Sequence, residues 1–191
     1  MADPRLADRQ AVFYYDLTDP VSYLAAERIH ATLAAVAEWE PVLGVELGVA
    51  PAAIDRASLE QRAQELGLLP FRWRACGSAT GTRAALAATY AKQVGRVVAF
   101  SLAAFRQAFA GGHDLDLEST VLLAGAACEL HPRALVQALS RPAVDAALHR
   151  ACDRARLAGV MSLPAIEVRG SLFSGDDAVE QAAALNSAAD H

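Results

Sequence analysis

The chain has 191 residues, 54% of them hydrophobic, and a formal charge of −5. That length and composition allow a substantial core in one domain, or one domain with a large insertion. The acidic balance, with no basic block and no basic residues interleaved with aromatics, argues against a nucleic-acid partner.

Residues 1–10, MADPRLADRQ, hold acids and a proline but no apolar stretch. No signal or transit peptide is read there, and the expected location is the cytoplasm. Residues 11–17, AVFYYDL, are aromatic and β-branched with turn residues after them, which predicts a buried strand. A helix follows, with Asp19 placed to cap it, Pro20 in its first position, and Tyr23, Leu24, Ile29 and Leu33 at helical spacing to about residue 37. Residues 38–47, EWEPVLGVEL, read as a second strand, with Pro41 marking an edge or a bulge. This β-α-β start requires a parallel pair.

Helical patterns then run over 58–66, 82–110 with a break at Gly95, 117–130, 132–139 and 142–158. Gly67, the AGGHD turn, the His131-Pro132 pair and Gly159 sit where helix ends belong. Phe100, Phe105 and Phe109 mark the core face of one of these helices. Two short strands, AIEV and SLFS, flank the turn Arg169-Gly170, and a last helix starts near Asp177 with Glu180 placed for a capping box. Strands at both ends of the chain must therefore close one sheet around a helical block. No stretch of about 18 uninterrupted apolar residues occurs, so no membrane-spanning helix is expected. Cys76, Cys128 and Cys152 lie far apart with no Cys-x-x-Cys, and the five histidines show no metal-ligand spacing. Neither a disulfide framework nor a bound metal is expected.

Several segments together resemble the DsbA-like thioredoxin-fold family, and within it the 2-hydroxychromene-2-carboxylate isomerases and kappa-class glutathione transferases. They are FYYDLTDPVSYLA (13–25), LPFRW (69–73), GRVVAFSLAAFRQAFAGGHDL (95–115), GVMSLPAIEV (159–168) and LFSGDD (172–177). The resemblance implies an α/β thioredoxin-like fold formed by residues 11–50 and 159–189, with residues 51–158 as a helical insertion. By residue type alone Pro164 reads as a trans proline leading into a strand, because cis bonds are a minority even before proline. The resemblance implies instead a cis-proline facing the head of the first helix, with the backbone of Leu163 exposed to pair with glutathione or a peptide.

At that helix head, thiol-disulfide members carry Cys-x-x-Cys, and the isomerases and kappa transferases carry Ser-Pro. Here it reads Asp19-Pro20-Val21-Ser22. Without cysteine at either position the dithiol cycle cannot run there, since it needs one thiolate to attack and another to resolve. The helix dipole and free N–H groups predict a depressed pKa for Asp19. As an ionised carboxylate it would repel a thiolate, leaving the Thr18 and Ser22 hydroxyls to steer a sulfur. Two roles stay open for Asp19: simple N-cap, or general base with a pKa raised by burial.

Asp176 and Asp177 stand where relatives hold the α-ammonium of glutathione with a Ser-Asp pair; the resemblance implies that role for Asp177, which matches residue for residue, while Asp176 departs from the serine. Arg72 or Arg74 would take the glycyl carboxylate of glutathione. Tyr14, Trp73 and Cys76 are the expected lining of a substrate pocket. The expected protein is thus a glutathione-dependent isomerase or transferase of small aromatic or carboxylic compounds, working as a homodimer. A catalytically silent binding module is the alternative, and an oxidoreductase using Cys76 alone is the third reading.

Overall fold

The computed structural model describes residues 10–33, 35–49, 55–73 and 80–187. Strand β1 (Val12–Tyr15) leads into helix α1 (Pro20–Thr32), strand β2 (Glu38–Pro41) and a short helix α2 (Gly44–Leu47). Six helices follow: α3 (Arg56–Glu65), α4 (Thr82–Gln93), α5 (Val97–Phe109), α6 (Glu118–Ala127), α7 (Pro132–Leu139) and α8 (Pro142–Leu157). The chain then returns to the sheet as β3 (Ala165–Val168) and β4 (Ser171–Ser174), and ends in α9 (Ala178–Ser187).

The four strands lie in the order β2-β1-β3-β4. β1 pairs parallel with β2, from Val12 opposite Glu38 to Tyr15 opposite Pro41, and antiparallel with β3. α1 is the crossover that a parallel pair requires. Pro41 ends an edge strand, as its missing N–H donor demands. Arg169 and Gly170, both at positive φ, turn β3 back onto β4.

Alternation along β1 divides the core. Phe13 and Tyr15 join Trp39, Tyr23, Phe100 and Phe105 in the larger cluster, whereas Tyr14 joins Val42, Leu43, Leu148 and Cys152 in the smaller one. The Tyr15 hydroxyl meets Ser101 Oγ at 2.6 Å inside the larger core, so the aromatic buries without an orphaned oxygen. Helices of the insertion thus share both cores with the sheet. α4 bridges them, with Ala84, Ala87, Ala88 and Ala91 in one cluster and Ala85 in the other. The alanines let it pack closely on both sides.

Several boundaries differ from the sequence expectation. The predicted second strand stops at Pro41, and residues 44–47 are helical because Gly48, in the left-handed region, closes a single turn there. The first strand is trimmed to Val12–Tyr15, since Asp16 turns away to cap other backbone groups. α1 stops at Thr32, and the chain runs on to Glu38, whose N–H bonds the carbonyl of Ala11 at 2.7 Å. α3 begins at Arg56, capped by Asp55, whose Oδ1 accepts from Ser58 N. Glu180, expected in a capping box, lies instead among arginines, its carboxylate 3.3 Å from Arg28 Nε and 3.7 Å from Arg62 Nη2. No helix among the described residues is long and apolar enough to cross a membrane, and no three metal-ligating side chains cluster among them.

Candidate active site at the head of the first helix

Asp19 starts α1 in extended backbone geometry. Its Oδ2 accepts hydrogen bonds from Ser22 N at 2.7 Å and Ser22 Oγ at 2.6 Å, and its Oδ1 accepts a long one, 3.3 Å, from Val21 N. Pro20 occupies the first helical position, where a missing N–H is harmless. The expected N-cap is therefore present. The expected low pKa is not. Burial dominates and pushes the carboxyl up to about 6, against the lowering effect of the Ser22 and Val21 bonds and with a smaller push from the charge of Asp16. The helix dipole and free N–H groups favour the charge, but the water removed by the surrounding elements outweighs them.

The elements that crowd this head meet at Asp16, which is only 7% exposed. Its Oδ1 accepts from Thr18 N and Thr18 Oγ1, both at 2.7 Å, and its Oδ2 accepts from Gly44 N at 2.7 Å. A side chain on Gly44 would begin 3.2 Å from Asp16 Oδ2 and 3.5 Å from Leu163 Cδ1, so the head of α2 approaches this closely because it lacks one. Gly81, at φ +66°, does the same for α4: a Cβ there would fall 2.5 Å from Thr18 Cγ2. The N–H groups of Thr80 and Gly81 are held in turn by Asp116, at 2.7 and 3.4 Å. Sequence reading missed Asp16, Gly44, Gly81 and Asp116. Only the first left a local signal, an Asp two residues before a Thr, the pattern of an Asx-turn.

These bonds correct the roles expected for Thr18 and Ser22. Both hydroxyls donate to carboxylates of the chain itself, Thr18 to Asp16 and Ser22 to Asp19, and Ser22 is fully buried. Neither hydroxyl hydrogen is left to steer a ligand sulfur.

The Leu163-Pro164 bond is cis, as the resemblance implied. Continuing the β1/β3 register past Ala165 sets Leu163 opposite Asp16, directly beside the helix head. The carbonyl of Pro164 accepts from Gly175 N at 2.9 Å, which ties the segment carrying Asp176 and Asp177 to the same loop. Asp176 is already paired. Arg28, 7% exposed on α1, donates to its backbone carbonyl and lies 3.1 Å from its Oδ1, and Arg62 Nε lies 3.8 Å from its Oδ2. The carboxylate expected to meet a ligand ammonium thus already lies in an internal ion pair. Asp177 is exposed, and its carbonyl begins α9 by accepting from Gln181 N.

Of the expected pocket of Tyr14, Trp73 and Cys76, the two described aromatics do not face each other. Tyr14 lies in the smaller core with its hydroxyl 3.3 Å from Glu167 Oε2, and burial first, then Glu167, pushes its pKa up to about 12. Trp73 stacks flat on Phe71 at 4.6 Å, lies under Arg56 and donates to Glu60, while Phe71 packs against the larger core. The sheet separates the two. Arg72 is exposed, with its backbone N–H bonded to the carbonyl of Phe109 at 2.7 Å. Arg74 and Cys76 lie outside the described residues. Cys128 and Cys152 are buried, and burial pushes the Cys152 thiol up to about 11, so neither is a ready thiolate.

A cis-proline loop opposite the capped head of the helix that follows the first strand, on a sheet closed by both chain ends, agrees with a family model for the DSBA-like thioredoxin domain that matches residues 10–185. The chain belongs to the DSBA-like thioredoxin domain family. Among solved structures, a 2-hydroxychromene-2-carboxylate isomerase superposes with a TM-score of 0.77 at 18% identity, covering 95% of each chain. A probable DsbA oxidoreductase from Streptomyces coelicolor gives 0.76 at 20% identity, covering 94% of this chain and 89% of that one. The cytosolic disulfide reductase DsbM from Pseudomonas aeruginosa gives 0.61 at 18% identity, covering 95% and 98%. No curated protein sequence matches. At these identities the likeness is one of fold.

Proposed function

We propose that this DSBA-like protein is a glutathione-dependent isomerase or transferase for small aromatic or carboxylic compounds, with Asp19 as its acid-base group. The observation that carries the reading is the Asp19 carboxyl, raised to about 6 at the helix head beside the cis Leu163-Pro164 loop. A general acid-base works best when its pKa lies near the operating pH. Oδ2 already accepts two short bonds from Ser22, so the proton is taken up and returned at Oδ1, whose one partner is distant.

Two features support a site for the backbone end of glutathione. Leu163 stands half-exposed beside Asp16, and the exposed Asp177, two residues past the Gly175 that bonds the Pro164 carbonyl, is the carboxylate read as the partner of an α-ammonium. At the sulfur end the fit is to a protonated thiol, which can donate to Asp19 Oδ1, and not to a standing thiolate, since the Thr18 and Ser22 hydroxyls are committed. Bound glutathione would supply a sulfur nucleophile. Asp19 needs only to hold a proton at Oδ1 while charge moves through the ligand, which removes the like-charge conflict that a permanent thiolate would create. A homodimer in the cytoplasm completes the proposal.

The test is calorimetry with millimolar glutathione, followed by the pH profile of turnover on an unsaturated aromatic carboxylate. Binding, with an ionisation near pH 6 in kcat/KM that vanishes in Asp19→Asn, is the expected result. Absence of heat at millimolar glutathione refutes the cofactor, and a profile unchanged in Asp19→Asn refutes the acid-base role.

A further inference from the structure

Asp16 joins the turn before α1 to the head of α2, and the reading of Asp19 as an acid-base group gives it no task. Its position follows from the chain: it is the first residue past β1, where the backbone leaves the sheet and must turn into α1. The carboxylate accepts three donors with two oxygens, from the turn (Thr18 N and Oγ1) and from the head of α2 (Gly44 N). Its own carbonyl accepts Asp19 N at 3.1 Å. Leu163 is brought to the same spot through Gly44, and α4 through Gly81 against Thr18. One buried carboxylate thus lies where the β1-α1 turn, α2, the cis-proline loop and α4 converge, three residues from Asp19.

We infer that Asp16 is a positioning residue for the proposed reaction: it fixes the turn that carries Asp19 against α2 and the cis-proline loop, and it sets a second carboxylate three residues from Asp19. The inference rests on the acid-base reading of Asp19. The chemistry requires a carboxylate in particular. All three partners are donors, so an asparagine at this place can satisfy the Thr18 pair or Gly44 with its single oxygen but must turn its NH2 toward the other. The sign of the electrostatic effect is equally fixed. A neighbouring negative charge disfavours a second one, so Asp16 raises the proton affinity of Asp19; the Thr18 hydroxyl hydrogen-bonds that charge, and a hydrogen bond to a carboxylate draws off part of its field.

The experiment follows the Asp19 side-chain carboxyl by carbon-13 NMR across pH 3 to 9, and amide hydrogen exchange at Gly44, in the wild-type chain and in Asp16→Asn. The expected result is an Asp19 midpoint moved to lower pH and exchange at Gly44 faster by about tenfold or more, as for an amide that has lost its partner. A midpoint that stays at the wild-type value, or a Gly44 amide that stays as protected, overturns the inference. Should Asp16→Asn fail to fold, Thr18→Val replaces it. That variant keeps the carboxylate and the side-chain volume that α4 packs on but removes the moderating hydroxyl, so the midpoint is expected to rise, and an unmoved midpoint again overturns the inference. The underlying reading fails on a different observation: a wild-type Asp19 that titrates in the ordinary carboxylate range, about 4.

Discussion

Asp19→Asn turns the raised pKa of this carboxyl into a stability measurement. The folded chain holds the Asp19 proton to about pH 6, whereas the ordinary value is 3.8. At about 1.4 kcal/mol per unit, that difference makes ionised Asp19 cost the fold at most about 3 kcal/mol. Between those two values the folded state keeps a proton that the unfolded chain has released. The contribution to stability is therefore fully present below pH 3.8, falls as pH rises through this window, and is gone above about 6. Asparagine caps a helix as well as aspartate does. Its oxygen can take the Oδ2 position and accept from Ser22 N and Oγ, leaving the amide at the Oδ1 position, where only the long Val21 bond is lost. The variant cannot ionise. Urea unfolding of both chains at intervals from pH 4 to 8 should show equal stability at the acid end and a variant more stable by about 2–3 kcal/mol at neutral pH and above. Taking the difference between the two chains cancels the other carboxylates. A difference that is flat with pH, or that favours the wild type at pH 8, would refute the claim that burial outweighs the helix-head bonds.

The remaining predictions concern the neighbours of Asp19. Ser22→Ala removes a bond that lowers the Asp19 pKa, so the carboxyl midpoint should rise further and the fold lose about 1 kcal/mol, read by NMR titration and urea unfolding. Gly81→Ala forces a side chain into the left-handed region and against Thr18 Cγ2. It should destabilise the chain by at least about 1 kcal/mol and weaken glutathione binding, with thermal unfolding and calorimetry as the checks. Arg28→Gln withdraws the buried cation from Asp176 and Glu180, and a loss of about 1–3 kcal/mol is expected in urea unfolding. A neutral result would mean that the ion pair does not hold α1 to the turn before α9.

Helix starts and ends were legible in the sequence because their signals are local. Asp19-Pro20, Pro132 and Pro142 each open a helix where a proline's missing N–H does no harm, and the break at Gly95 separates α4 from α5 as its position suggested. The aromatic first strand and the paired strands around Arg169-Gly170 were legible for the same reason. The cis bond before Pro164 could be expected only from the resemblance of the whole chain, since nothing in the tripeptide itself selects it. Residues 44–47 misled because an apolar run beside a proline suits a strand or a helical turn equally, and the Asp16 carboxylate that accepts Gly44 N lies 28 residues earlier.

Sequence alone determined that Asp19 caps a helix and that no dithiol stands at its head, because both depend on residues within four positions of one another. The tertiary structure decided everything about how that cap behaves. The long-range partners of Asp16, the pairing of Asp176 with an arginine 148 residues away, and the side of the sheet that Tyr14 faces are set by packing between distant segments. The protonation of Asp19 belongs with them. Dipole and N–H groups act locally and favour the charge, but removal of water is the work of the elements that close around the carboxylate, and here that larger effect reverses the sign.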